Sequence, residues 1–326
     1  MNDRRRARVD RVAELVIRGA GALTVAILLG ILAMLFVNAI GALRGGVDAT
    51  PLTAEERTEL GPDSARAIDE ARTSPPTVGD FAGPLWSPAA RKPAWGMLGL
   101  IVSTLLTAAI AMAIAVPVGI AAAAAIAFGT RGRLREVLKV GVELVAAVPS
   151  VVVGFIGLQI LGPFLGEIFH RPGGLSALNG GILLAVMALP TIVTIAEDAL
   201  RSVPRSLVEG SLALGADRFQ TLVHVVAPAA KSGLVAAAML GLGRAIGETM
   251  TVLMATGNAA AMPHSLLDPV RTMTATIAIE LGEVASGSTH FHALFAVGLA
   301  LFAITLAVQL CADALVRRGG AAEESA

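Results

Sequence analysis

The chain has no tyrosine, one cysteine and three lysines in 326 residues, and aromatic side chains make up 4% of it. Each shortage excludes something. The lone cysteine, Cys311, has no partner for an intrachain disulfide; inside an apolar run it is expected to be a small core residue. So few aromatics leave only a thin interfacial belt, with Trp86 and Trp95 as its best anchors. None of Lys92, Lys139 and Lys231 stands in a Gly-x-x-x-x-Gly-Lys setting, so this chain lacks the loop that cradles ATP phosphates. The histidines do not converge either. His290 and His292 are two residues apart, and His170, His224 and His264 are scattered, which gives no metal site and no triad spacing. Charged residues are 15% of the chain and hydrophobic ones 55%. That is too apolar for a water-soluble protein, and the chain is too long for a simple anchor.

What is present is a series of apolar runs. Arg4, Arg5, Arg6, Arg8, Arg11 and Arg18 precede an uncharged stretch, 19–43, too long for the apolar part of a cleaved signal peptide. It is expected to be a first membrane span, with the arginines setting its orientation rather than binding nucleic acid. Residues 44–95 form an insertion of mixed charge. Thr53-Ala-Glu-Glu56 fits a capping box opening a short surface helix, and Ser74-Pro-Pro76 stops it. No charge occurs from Met97 to Phe128, where Pro117 should kink a second span. A basic loop with Arg131, Arg133, Arg135 and Lys139 follows.

The third span is expected over 140–164 with Pro149 inside it, and the fourth over 178–199 with Pro190 inside it. Glu143 is expected to pair with Lys139 at i,i+4. A fifth run covers 232–255 and a sixth 293–312; between them, Thr272–Leu281 is apolar enough to dip into the bilayer. This predicts an all-α, polytopic protein with six transmembrane helices and both termini in the cytoplasm. Its segments are 1–95, a core at 96–316 with an inner loop at 200–231, and a tail at 317–326. Sixteen of the 25 lysines and arginines then fall on the inner side, as the positive-inside rule requires.

The fifth run carries Gly241-Leu-Gly-Arg-Ala-Ile-Gly-Glu-Thr-Met250. An arginine at the centre of a spanning helix costs roughly 2.5–3.5 kcal/mol even on the lenient insertion scale. On a continuous helix Arg244 and Glu248 share one face, about 5–6 Å apart at their Cβ atoms, with Thr251 on the same face. Gly243 and Gly247 would let another helix pack closely. An internal ion pair and a place on an anion pathway both fit this pattern. The prolines are expected to bring Ser150 beside the pathway.

The inner loop reads Glu209-Gly-Ser-Leu-Ala-Leu-Gly215, continuing to Val225-Val-Ala-Pro228. This resembles the EAA loop of ABC-importer permeases, with Glu209, Gly215, Val225 and Pro228 in register. Gly210 and Ser211 stand where that family prefers alanine, and Ala227 where it prefers leucine. A short helix, a glycine break and a second helix make a knob suited to a groove in a cytosolic partner.

Three segments look like the phosphate-importer permease of the PstC type: 142–154 with Pro149-Ser150, 241–250 with Arg244 and Glu248, and 283–288. The resemblance covers 96–316 and leaves 44–95 out. The sister permease, PstA, shares the Arg and Glu of the fifth span, so the assignment between the two rests on flanking residues. The resemblance implies the MetI-like core of a type I ABC importer in a bacterial inner membrane. The implied partners are a second, PstA-like permease, two PstB-like ATPase subunits, a periplasmic PstS-like phosphate-binding protein and membrane lipid, without nucleic acid. No cofactor is implied on this chain; ATP and magnesium belong to the ATPase partner. It also places Arg244, Glu248, Ser150 and Thr251 on the substrate pathway and gives the chain no catalytic residue. A permease for sulfate or molybdate would be expected to lack the Arg-x-x-x-Glu pair. A membrane-embedded enzyme should show polar residues converging from several spans, and an assembly factor is the remaining alternative.

Overall fold

The computed structural model describes residues 3–44, 75–130 and 132–323. The surface helix expected after Thr53 and the basic residue Arg131 lie outside the described residues. Five helices are long and apolar enough to cross a membrane: α1 (Asp3–Arg44, its apolar part from Ala13), α2 (Leu98–Gly129), α4 (Ser150–Phe169), α5 (Ala177–Ser202) and α11 (Thr289–Glu323). α7 (Arg218–Ala229) and α8 (Lys231–Gly247) follow one another at a bend of 75°; by length and composition the pair passes as a sixth span that is broken, or as a re-entrant loop. Shorter helices are α3 (Arg133–Ala146), α6 (Arg205–Ala213), α9 (Met250–Ala255) and α10 (Met273–Glu280).

The chain divides into two units. One contains α1 and residues 284–300. In it, Gly41 lies against the His292 ring; a Cβ there would sit 2.7 Å from Nδ1. The other contains residues 78–283 and the remainder of α11.

In the larger unit α5 is the central helix: 61% of its most apolar window is buried, against 28% for α2. Ser176 caps its start by accepting from the Asn179 N–H (3.3 Å), and it stops at Val203, whose extended backbone suits the following Pro204. Packing around α5 depends on small residues. Ile192, fully buried, nests between Gly119 of α2 and Gly241 of α8; a Cβ at either glycine would approach it to 2.7 or 2.5 Å. Without water to drive burial, such close approach is how spanning helices gain contact. Pro117 and Pro190 lie inside α2 and α5, as expected.

Two segments differ from the expected spans. The third span starts at Ser150, not at 140. Pro149 is extended (φ −60°, ψ 135°) and stands just before the first turn, where its missing N–H costs nothing. The residues before it form the separate α3, with no buried residue, so the expected basic loop is largely this helix. Wide, π-type turns at Gly157–Leu161 and Leu222–Val226 each end two residues before a proline, Pro163 and Pro228. The extra residue in the turn accommodates the ring and the lost hydrogen bond.

The segment expected on the outer side is not purely helical. Trp86–Ser87 pairs antiparallel with Ala94–Trp95, and the two indoles meet edge to face at 6.3 Å. Trp86 is 2% exposed and donates from Nε1 to Glu280 (2.9 Å), so it is a core residue and not the interfacial anchor expected of it. Cys311 departs the other way. It is exposed, because most of α11 is left uncovered by the rest of the chain.

Candidate functional site

The fifth apolar run is broken. α8 ends at Gly247; Glu248 is extended (φ −71°, ψ 134°), and helix resumes at Met250. Gly247 and the β-branched Thr249, both weak helix formers, flank the break. The expected single helical face through Arg244 and Glu248 is therefore interrupted. No ion pair joins the two among the described residues, so of the two readings the internal pair is not formed: Glu248 is held by its own neighbours and Arg244 is not. Of the two glycines expected to admit a neighbouring helix, Gly243 sits near Gln309 of α11, and Gly247 has nothing within 4 Å of a built Cβ.

Arg244 occupies the last turn of α8, where the helix dipole favours a cation, and its side chain is exposed. Among the described residues it has no hydrogen-bond or ion-pair partner. Glu248 is half-buried, and its carboxylate accepts from the Thr249 N–H (3.2 Å). Thr251 is fully buried. Its hydroxyl lies 3.1 Å from the Ser150 carbonyl and 3.5 Å from the Glu248 carboxylate; its one proton favours the shorter contact. That bond ties the break to the first turn of α4. Of the four residues expected on the pathway, Ser150, Glu248 and Thr251 are thus brought together, and Arg244 lies on the other side of the break, in the last turn of α8.

A third segment meets the same point. α10, the stretch expected to dip inward, begins at Thr272, whose hydroxyl accepts from the Ala275 N–H (3.2 Å). Thr274, 8% exposed, donates to the Glu248 carbonyl (2.9 Å), which the break has left without a helical partner. The Met273 N–H donates to the Thr104 hydroxyl of α2 (3.0 Å). Asn179 of α5, fully buried, donates to the carbonyls of Gly157 (3.1 Å) and Ala255 (2.9 Å), clamping the wide turn of α4 to the end of α9. Thr274 and Asn179 were missed because each acts on backbone that only the fold frees. The one signal was a polar residue in an apolar stretch.

At the other end of α5, Glu197 is almost completely enclosed. Arg135 reaches it at 2.6 Å, Arg201 at 3.6 Å and Lys139 at 3.7 Å. The expected Lys139–Glu143 pair is replaced by this bridge between α3 and α5. A buried carboxylate needs such partners, and an exposed one such as Glu143 does not.

The knob has the expected form. α6 ends, Gly215 takes a left-handed backbone (φ +91°), and Asp217 opens α7 with a reciprocal capping box to Gln220. Ser211 and Thr221 join the two helices through their hydroxyls (3.0 Å). Glu209 and Pro228 are exposed, Val225 half-buried, and Leu214 at the tip is 91% exposed. Val226 and Ala230 anchor the base beside Val203 and Leu200.

A bundle of apolar, membrane-length helices with a broken, charged run, a short helix hydrogen-bonded to that break and a two-helix knob is the membrane-embedded half of a solute transporter. The chain belongs to the family described as binding-protein-dependent transport system inner membrane component, whose profile matches residues 115–319. It is 40% identical over 220 residues to a probable ABC transporter permease protein of Bacillus subtilis, YqgH, covering 68% of this chain and 71% of that one. It is also 40% identical over 246 residues to the phosphate transport system permease protein PstC 1 of Mycobacterium tuberculosis, covering 69% and 73%. The fold is shared with a MetNI methionine ABC transporter solved in inward-facing form: TM-score 0.53, 22% identity, 68% of this chain and 97% of that one.

Proposed function

We propose that the chain is the permease subunit of an ATP-driven importer that moves inorganic phosphate into the cytoplasm. It works beside a second, PstA-like permease, two PstB-like ATPase subunits and a PstS-like binding protein. The observation that carries this reading is Arg244: a full cation at a helix break in a spanning run, exposed and without a partner among the described residues. Such a residue is stable in a membrane only where it faces a polar pathway or another protein. A second permease across the pathway supplies both. The phosphate transport permeases among its relatives support the choice of anion.

The arginine fork matches an oxyanion's paired oxygens. The carboxylate of Glu248, held apart from Arg244 by the break, adds discrimination. It accepts hydrogen bonds only. Phosphate near neutral pH retains a P–OH to donate; sulfate has none and meets repulsion. Moving a dianion inward against about 100 mV costs roughly 4.6 kcal/mol, so an external energy source is required. The knob carrying Glu209, Gly215, Val225 and Pro228 delivers it, with Leu214 seated in the ATPase.

The test is anion flux through the permease pair in liposomes, using a background that no longer needs the binding protein. Arg244→Gln abolishes flux. Glu248→Gln, whose amide can donate, retains phosphate movement and lowers the phosphate-to-sulfate ratio. An unchanged ratio would reduce Glu248 to a structural role, and a sulfate preference in the unmodified pair would overturn the phosphate assignment.

A further inference from the structure

The ends of α2 and α5 and the start of α7 line an open cavity of about 770 Å³. Its walls include Ile120 and Phe128 of α2, Leu200 of α5, and Phe219 and Leu222 of α7; among the described residues Arg218 is the one charged residue in its lining. The chain does not fill this space with its own side chains, and water gains little from apolar walls of this extent. Ala121 and Ala125, on the α2 wall, are exposed, so the space is open along a spanning helix.

The cavity therefore has an apolar body with one cationic end. Arg218 has no ion pair or hydrogen bond from its side chain among the described residues. The neighbouring Asp217 carboxylate is engaged on the Gln220 N–H (2.7 Å), and Arg201, beside Leu200, is held by Glu197. Arg133, Arg135, Lys139, Arg201 and Arg205 surround the same end of the bundle, and this is the end the charge bias places inside. Anionic lipid of the cytoplasmic leaflet is attracted to such a surface.

We propose that the cavity is a binding site for an anionic phospholipid of the inner leaflet, with an acyl chain against Ile120, Phe128 and Leu222 and the phosphate on Arg218. A free phosphate ion does not fit the same space, because most of its oxygens would face hydrocarbon without donors. The lipid touches two spans and the helix that leads through the 75° bend into α8. The inward orientation of 200–231 is taken from the function proposed above.

The experiment uses the full chain, alone and in its assembled complex. Retention of phosphatidylglycerol and phosphatidylcholine with identical acyl chains is measured by native mass spectrometry after detergent exchange. Neither phosphate nor ATP is needed, so the result is independent of the transported anion. The unmodified chain retains phosphatidylglycerol about fivefold better, the effect of one arginine at an anionic surface. Arg218→Gln levels the two lipids, Arg218→Lys keeps most of the preference, and Ala121→Phe, which fills the exposed side of the cavity, lowers retention of both. Equal retention by the unmodified chain overturns the proposal, as does a preference that survives Arg218→Gln. Loss of lipid from the assembled complex, with retention by the isolated chain, also overturns it and assigns the cavity to a protein neighbour.

Discussion

At the scale of single residues, the site is held by groups that repair broken backbone. Thr274 gives its hydroxyl proton to the Glu248 carbonyl, and Thr251 gives its own to the Ser150 carbonyl. The first satisfies a carbonyl that the break leaves free, a net effect of about 1 kcal/mol; the second adds a tie to a carbonyl already inside the first turn of α4. Thr274→Val keeps the shape and deletes the donor. It should lower the maximal rate of phosphate uptake several-fold at normal abundance, with little change in the concentration giving half-maximal rate; Thr274→Ser should restore the rate. If Thr274→Val transports normally, the bond is incidental to function. The sequence made Arg244, Glu248, Ser150 and Thr251 legible because charge and proline are costly in a span. It did not reveal how they meet. The i,i+4 rule assumes an unbroken helix, and the break at Glu248 depends on α10 being present to donate to the freed carbonyl.

Among elements, the sequence was most legible where the local signal is strongest. The long uncharged runs became α1, α2, α5 and α11, and the helix–glycine–helix knob appeared as expected. Where local and tertiary signals compete, it was less so. The apolar run across 140–164 hid the division between α3 and α4, since Pro149 can either kink a helix or begin one. The bridge from Arg135 and Lys139 to Glu197 could not be read from spacing, as it joins residues about sixty positions apart. The knob yields a prediction at this scale. Gly215→Val forces a β-branched residue into φ +91°, a conformation that non-glycine residues resist at a cost of about 1–3 kcal/mol. The tip carrying Leu214 should shift while the spans stay intact. ATP hydrolysis and phosphate uptake, measured together in proteoliposomes, should come apart. Normal uptake at normal abundance would show that the tip does not transmit the stroke.

For the whole molecule, the arrangement of spans sets which surfaces face which compartment. With Cys311 replaced by serine, a cysteine at Glu283 should react with an impermeant thiol reagent in spheroplasts, and one at Arg133 should react only after permeabilisation. The reverse pattern would invert the proposed topology and move the knob away from any cytosolic ATPase.

The exposed guanidinium of Arg244 also bears on the fate of copies made in excess. A chain that has not found its companion presents a bare cation to hydrocarbon, a situation a fully apolar helix never creates. That exposure is a mark of incompleteness a membrane protease can read. Expressed alone, the chain should turn over several times faster than in the presence of its companion permease, and Arg244→Leu should lengthen the lifetime of the orphan while abolishing transport. Pulse-chase labelling of the two forms separates these outcomes, and equal lifetimes would mean that subunit balance is enforced elsewhere. The residue proposed to admit the anion would then also set the stoichiometry at which the two permeases can accumulate.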